Sequence, residues 1–133
     1  MTPCMFPVYT PCMTAGSSEA HTALVNRCLV RLTERGCFVW RHSTGMATAG
    51  NRFLPFGLPG SSDIVGMLPH GGRFLAVECK TGNARLGEQQ KRFRDRIVKQ
   101  GGLHVVARSP EDVDEMLNAV EAEIRVASGA GQV

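Results

Sequence analysis

No apolar run in the 133 residues approaches the ~18–20 needed to span a bilayer, so a membrane-crossing helix is not expected. Met1 to Gly16 holds neither Lys nor Arg and no long apolar core, which also argues against a secretory signal. The expected location is the cytoplasm, or wherever the cell keeps the DNA. The five cysteines (Cys4, Cys12, Cys28, Cys37 and Cys79) are odd in number and include no C-x-x-C pair. A disulfide framework and a zinc site are therefore excluded on spacing, and buried or incidental thiols are expected. The four histidines are scattered, with no H-N-H arrangement. There is no G-x-x-x-x-G-K-[ST], so neither a nucleotide-driven motor nor a nucleotide cofactor is encoded. A net charge of +3 is too small to announce a polyanionic partner by itself.

What remains is an ordinary globular composition, 43% hydrophobic and 20% charged, in a length that suits one hydrophobic core. The distribution of charge is more informative than its sum. Between Arg85 and Lys99, Arg85, Lys91, Arg92, Arg94, Arg96 and Lys99 outnumber Glu88 and Asp95. Acidic residues collect later, in Glu111, Asp112, Asp114, Glu115, Glu121 and Glu123. This asymmetry suits a basic helix facing phosphates, although a solvated helix face gives the same run.

Residues 1–16 read as a flexible leader, of which 1–12 look dispensable, 17–127 as a single domain and 128–133 as a frayed tail. Ser17 or Ser18 can cap a helix opening at Glu19, whose Leu24, Val25, Cys28, Leu29 and Leu32 share one face. Gly36 is placed to end it. Cys37-Phe38-Val39-Trp40 reads as a strand, with Trp40 expected in the core. From Arg41 to Ser62 the Gly, Ser, Thr and Pro content predicts one long loop. Residues 63–68 and 73–80 are predicted to form a hairpin across Pro69-His70-Gly71-Gly72. A helix over about 88–100 is anchored by Phe93 and Ile97 and stopped by Gly101-Gly102. A strand at 103–107 follows, then a helix starting at Ser109-Pro110. The order is α-β-β-β-α-β-α: an α/β fold with a mixed sheet of about four strands flanked by helices.

Side chains alternate along a strand, so Glu78 and Lys80 point the same way. In the predicted hairpin Asp63 lies across from the end of the second strand. The spacing gathers two carboxylates and an ammonium at one end of the sheet. Paired carboxylates make a hard-oxygen site suited to Mg2+ or Mn2+, and the lysine can position water and offset charge on a phosphate. A surface ion pair worth ~1 kcal/mol or less is the plain alternative for Glu-x-Lys.

Gly60-Ser61-Ser62-Asp63 followed by Val77-Glu78-Cys79-Lys80 resembles the split signature of the PD-(D/E)XK nucleases. The flanks resemble their VRR-NUC branch: Trp40-Arg41, Thr44-Gly45, Phe56-Gly57, Ile64-Val65-Gly66, Thr81-Gly82, Gln90 with Phe93, and Gly101-Gly102. The likeness runs from about Glu19 to Val120. It implies that Asp63, Glu78 and the main-chain carbonyl of Cys79 bind the metal and that Lys80 orients the attacking water. It also implies that Glu19 completes the metal site and that Gln90 steadies the lysine or the phosphate. For Glu19 a helix-dipole carboxylate is the alternative, and for Gln90 a solvated amide.

Arg41, Arg52, Arg85, Lys91, Arg92 and Arg94 are the candidate nucleic-acid contacts. The expected activity is metal-dependent endonucleolytic hydrolysis of DNA. By analogy with stand-alone, viral-type members of the family, branched DNA is the expected substrate. Two alternatives stay open: a catalytically silent nucleic-acid-binding module, and a hydrolase acting on RNA. A homodimer is expected, because a symmetric junction cut needs two centres and because Met46, Phe53, Leu54, Phe56 and Leu58 are apolar for an idle loop.

Overall fold

A computed structural model describes residues 19–130; the expected leader, its Ser17 and Ser18 caps, and residues 131–133 lie outside the described residues. Helix α1 (Glu19–Glu34) buries Leu24, Val25, Cys28 and Leu32, the face expected from their spacing. It ends where the Gly36 N–H reaches the Thr33 carbonyl and the Cys37 N–H reaches that of Leu32. That paired closure requires a left-handed residue, and Gly36 supplies it at φ 88°.

Strand β1 (Phe38–Arg41) leads into a two-stranded ribbon, β2 (Gly45–Ala49) and β3 (Arg52–Phe56). Strands β4 (Ile64–Met67) and β5 (Phe74–Cys79), helix α2 (Glu88–Lys99), strand β6 (Leu103–Ala107) and helix α3 (Pro110–Ala130) complete the chain. The main sheet has the order β1-β4-β5-β6, antiparallel except for the parallel β5–β6 pair. The parallel step needs a crossover, and α2 provides it. The expected four-strand mixed sheet is therefore present, and α3 carries on as helix through 128–130.

One sheet face, with Ile64, Leu75, Val77, Cys79 and Ala107, forms the core with α1 and with Val113 and Leu117 of α3. Arg31 of α1 and Arg35 just beyond its end pair with Asp114 of α3, and Arg35 also reaches Glu121, so part of the late acidic run is a clamp onto α1. The opposite face is covered by α2 only over β5 and β6, where Phe93 meets the His104 ring edge-on at 6.3 Å. Trp40 lies on the uncovered half and is 46% exposed, not in the core as expected. The reason is geometric: a 12-residue helix is too narrow to roof all four strands.

The expected long loop is also corrected. Residues 45–56 pair as β2 and β3, with Ala49 opposite Arg52 across a two-residue Gly50-Asn51 turn. Gly50 sits at φ 62° in the first central position, where a type II′ hairpin calls for glycine. Neither strand has a buried face, so no alternation marks them in the sequence. Among the described residues Cys28, Cys37 and Cys79 are free, buried thiols, as expected; Cys4 and Cys12 lie outside them.

β1 can approach β4 only because residue 66 lacks a side chain. A Cβ on Gly66 would lie 2.0 Å from the Phe38 carbonyl oxygen and 2.7 Å from Val39 Cα. Gly66→Ala is expected to destabilise the domain by about 3 kcal/mol, since both obstacles are backbone. Urea unfolding monitored by circular dichroism checks this, and an unchanged midpoint would refute the packing described.

Candidate functional site

The β4–β5 register aligns Ile64 with Val77, which sets Asp63 opposite Glu78 one step along. The Asp63 backbone is held as well, its carbonyl accepting the His42 N–H at 2.8 Å. Asp63 Oδ2 accepts the Cys79 N–H at 2.9 Å and stands 3.3 Å from His21 Nε2, so its side chain is aimed at the end of β5. Glu78 is 4% exposed and Lys80 follows it on the same side, with Nζ 3.6 Å from Glu78 Oε1. The Lys80 backbone is fixed by its N–H bond to the Ala107 carbonyl at 3.0 Å.

Gln90 joins these groups. Its Nε2 donates to Glu78 Oε1 at 3.0 Å, while its Oε1 accepts from Lys80 Nζ at 3.0 Å and from the Gly87 N–H at 2.9 Å. The last contact is half of a capping box, so one side chain both starts α2 and orients the lysine. Gln90, not the neighbouring Gln89, faces the site. Gln89 instead lies against Gly60, where a Cβ would come within 2.3 Å of its carbonyl oxygen. The loop before Asp63 and the start of α2 are thereby packed backbone to backbone.

Electrostatically the centre is unfinished. Glu78 Oε2 is buried without a hydrogen-bond partner among the described residues. Burial, and then the Asp63 charge beside it, push the Glu78 carboxyl up to about 8, with Lys80 pulling the other way. An orphaned carboxylate oxygen next to a second carboxylate is a donor set that a hard divalent cation fits. Asp63, Glu78 and the Cys79 carbonyl would hold it. The Cys79 thiol belongs to the core instead, where its bond to Cys28, and then burial, push it well above the usual thiol range.

The other expected residues fall in different places. Glu19 is exposed at the start of α1 and makes no hydrogen bond or ion pair among the described residues. No group of three His, Cys, Asp or Glu side chains forms among the described residues, so the centre rests on two carboxylates. Arg85, Lys91 and Arg94 line one groove between α2 and α3, together with Arg108. Arg92 lines a different groove with Leu58 and Pro59; Arg41 ends β1 and Arg52 opens β3.

Sequence reasoning missed three residues. His21 is beside Asp63, and only its position on the turn after Glu19 hinted at it. Arg108 donates to the Gly82 and Ala84 carbonyls at 2.8 and 2.7 Å, pinning the loop between Lys80 and Gln90. His104 accepts or donates to the buried Ser62 Oγ at 3.2 Å. Burial, then the Arg94 charge, lower it to about 4, so it is neutral and structural at physiological pH.

The model of the VRR-NUC domain family matches residues 56–111, the stretch that carries Asp63, Glu78, Lys80 and Gln90. A solved structure described as a VRR_NUC domain superposes with a TM-score of 0.56 at 22% identity, over 76% of this chain and 97% of that one. The fold is thus of the PD-(D/E)XK type. No curated protein sequence matches.

The raised Glu78 pKa has a consequence for stability. The folded carboxyl keeps its proton up to about pH 8, whereas an unfolded one loses it near 4.5, so between those values the folded state binds more protons. The metal-free protein is expected to lose stability as pH rises through that window. Glu78→Gln should flatten the dependence and raise the melting temperature at pH 8. Mn2+ should stabilise the wild type more at pH 8 than at pH 6, because the cation displaces that proton. Thermal melts in EDTA and in Mn2+ across this range check both; a flat wild-type profile would contradict the reading.

Proposed function

We propose that this chain is a divalent-metal-dependent endodeoxyribonuclease acting on branched DNA, a reading that the match of residues 56–111 to the VRR-NUC domain model supports. The observation that carries this reading is the connected set Asp63, Glu78, Lys80 and Gln90 around an unsatisfied, buried carboxylate oxygen. A binding module has no use for such an arrangement, since the buried acid weakens the fold without touching a duplex.

Asp63 and Glu78, with the Cys79 carbonyl, hold Mg2+ or Mn2+ in this reading. A cation held there supplies Lewis acidity to the phosphate and lowers the pKa of water. The remaining work falls to side chains. Gln90 Oε1 and Glu78 Oε1 aim Lys80 Nζ at the site, where it orients the attacking water and offsets charge on the five-coordinate phosphate. His21 and the Cys79 N–H keep Asp63 Oδ2 from swinging away. Glu19, exposed at the start of α1, would add a further carboxylate near the ion in this scheme. Arg85, Lys91 and Arg94 share one groove and take phosphates of one arm, with Arg41, Arg52 and Arg92 serving other strands.

Among the described residues no helix is long and apolar enough to cross a membrane. A cytoplasmic, virus-encoded enzyme without a nucleotide cofactor completes the reading.

Glu78→Ala and Lys80→Ala are each expected to cut cleavage at least about 100-fold while the protein stays folded, and Gln90→Ala to cost less. Labelled flap, fork, four-way junction, duplex, single-stranded DNA and RNA substrates with Mg2+ or Mn2+ provide the assay. Wild-type rates for either alanine variant would refute the catalytic assignment, and preferential RNA cleavage would refute the substrate.

The active species is proposed to be a homodimer. The β2–β3 ribbon supports this: Met46, Phe53 and Leu54 are 59%, 71% and 49% exposed on an arm whose one extensive packing among the described elements is β2 on β3. Light scattering at micromolar concentration is expected to give twice 14.4 kDa, reverting to the monomer in the double variant Phe53→Glu, Leu54→Glu. A monomer that stays monomeric on DNA would rule the dimer out.

A further inference from the structure

We propose that the exposed Phe38–Trp40 pair on β1 is a stacking platform for an unpaired base of the DNA strand that enters the Asp63–Glu78 centre. This rests on the nuclease reading and specifies what that site selects.

Two aromatic side chains are left in water here, Phe38 at 66% and Trp40 at 46% exposure. They sit at i and i+2 of an edge strand and meet edge-on, with centroids 5.6 Å apart and planes at 62°. An edge-on contact holds the indole in place without stacking over it.

The sheet register connects this pair with the centre. Trp40 pairs with Val65 and Val65 with Ala76, so all three lie on one face. Ala76 and Glu78 are two apart on β5 and share that face as well. Two strand spacings across and two residues along separate Trp40 from Glu78, roughly 12 Å. A short run of single strand crosses that distance.

Charge favours a nucleic acid over another protein surface. Between Cys37 and Val77 the sole acidic residue is Asp63, while Arg41, Arg52 and Arg73 are cationic. Arg41 follows Trp40 directly at the end of β1, and Phe74, 38% exposed, shares the Trp40 face. A polyanion with flat bases meets both the cations and the rings. Bases inside a duplex already stack on both sides, whereas an unpaired base on a flexible strand can turn its free face onto the ring. The platform therefore selects flaps, forks and single-stranded arms over blunt duplex.

Trp40 is the one tryptophan of the chain, so its emission reports this position alone. Full-length protein in EDTA is titrated with a single-stranded oligonucleotide, a flap and a blunt duplex, with binding followed in parallel by anisotropy of a labelled strand. Quenching that saturates with flap and single strand, but not with blunt duplex, is expected. Trp40→Ala should weaken flap binding roughly 10- to 100-fold and leave duplex binding alone, and Trp40→Phe should keep most of the affinity. Phe38→Ala, which leaves the fluorophore in place, should reduce both quenching and affinity.

Bound flap with unchanged emission, or equal affinity in Trp40→Ala, overturns the platform. Emission that changes with protein concentration alone, as the mass doubles, assigns the face to a second copy and overturns it too. Cleavage in Mn2+ without quenching leaves the nuclease reading standing and removes the platform. Quenching and selective binding without cleavage do the reverse.

Discussion

The pairing of Ile64 with Val77 is the constraint from which the centre follows. Both side chains are fully buried against α1 and α3, and a slip of one residue would turn them toward the other face and drive Glu78 into the core. Burying two aliphatic side chains, at about 1.5–3 kcal/mol each, thus locks the geometry of two carboxylates. Asp63 is set opposite Glu78 by the same alternation that puts Cys79 inward against Cys28. Gly66 lets β1 close on β4, and the His42 N–H then holds the Asp63 backbone.

Set against that frame, Glu78 is an unfavourable residue. A carboxyl 4% exposed, with one oxygen unbonded and a second acid beside it, costs the fold stability whenever it is charged. Gln90 and Lys80 compensate one oxygen only. The remainder is what a divalent cation would neutralise, so stability and ion binding are coupled through one side chain. The surrounding loops are held firmly for this purpose: Arg108 pins residues 82 and 84, and Gly60 lets the loop before Asp63 rest on the start of α2.

How far the sequence could be read depended on burial. The α1 face, the hairpin of β4 and β5, the stop at Gly101-Gly102 and strand β6 all follow from periodicity and turn chemistry, because each packs on the core. The ribbon of β2 and β3 has no buried face, so its Gly, Thr and Pro content reads as loop. Trp40 was misplaced for a related reason: a large apolar side chain in a strand is expected inside, and nothing local tells that α2 stops short of β1. Spacing brings Asp63, Glu78 and Lys80 together, while only a family resemblance singles out Gln90, whose three hydrogen bonds depend on how α2 sits against β5.

The sequence by itself determined the order of elements, the strand face shared by Glu78 and Lys80, and the position of Asp63 across the hairpin. These are consequences of chain-local periods, two residues in a strand and 3.6 in a helix, and of turns a few residues long. Only the tertiary structure decided that His21, and not Glu19, is the helix residue within 3.3 Å of Asp63. It alone separated Arg92 from Arg85, Lys91 and Arg94, and left Phe38 and Trp40 in water on the face of the acid. Such facts depend on which helix covers which strand, and contacts between residues 42 or more apart, such as His21 with Asp63, leave no period in the chain.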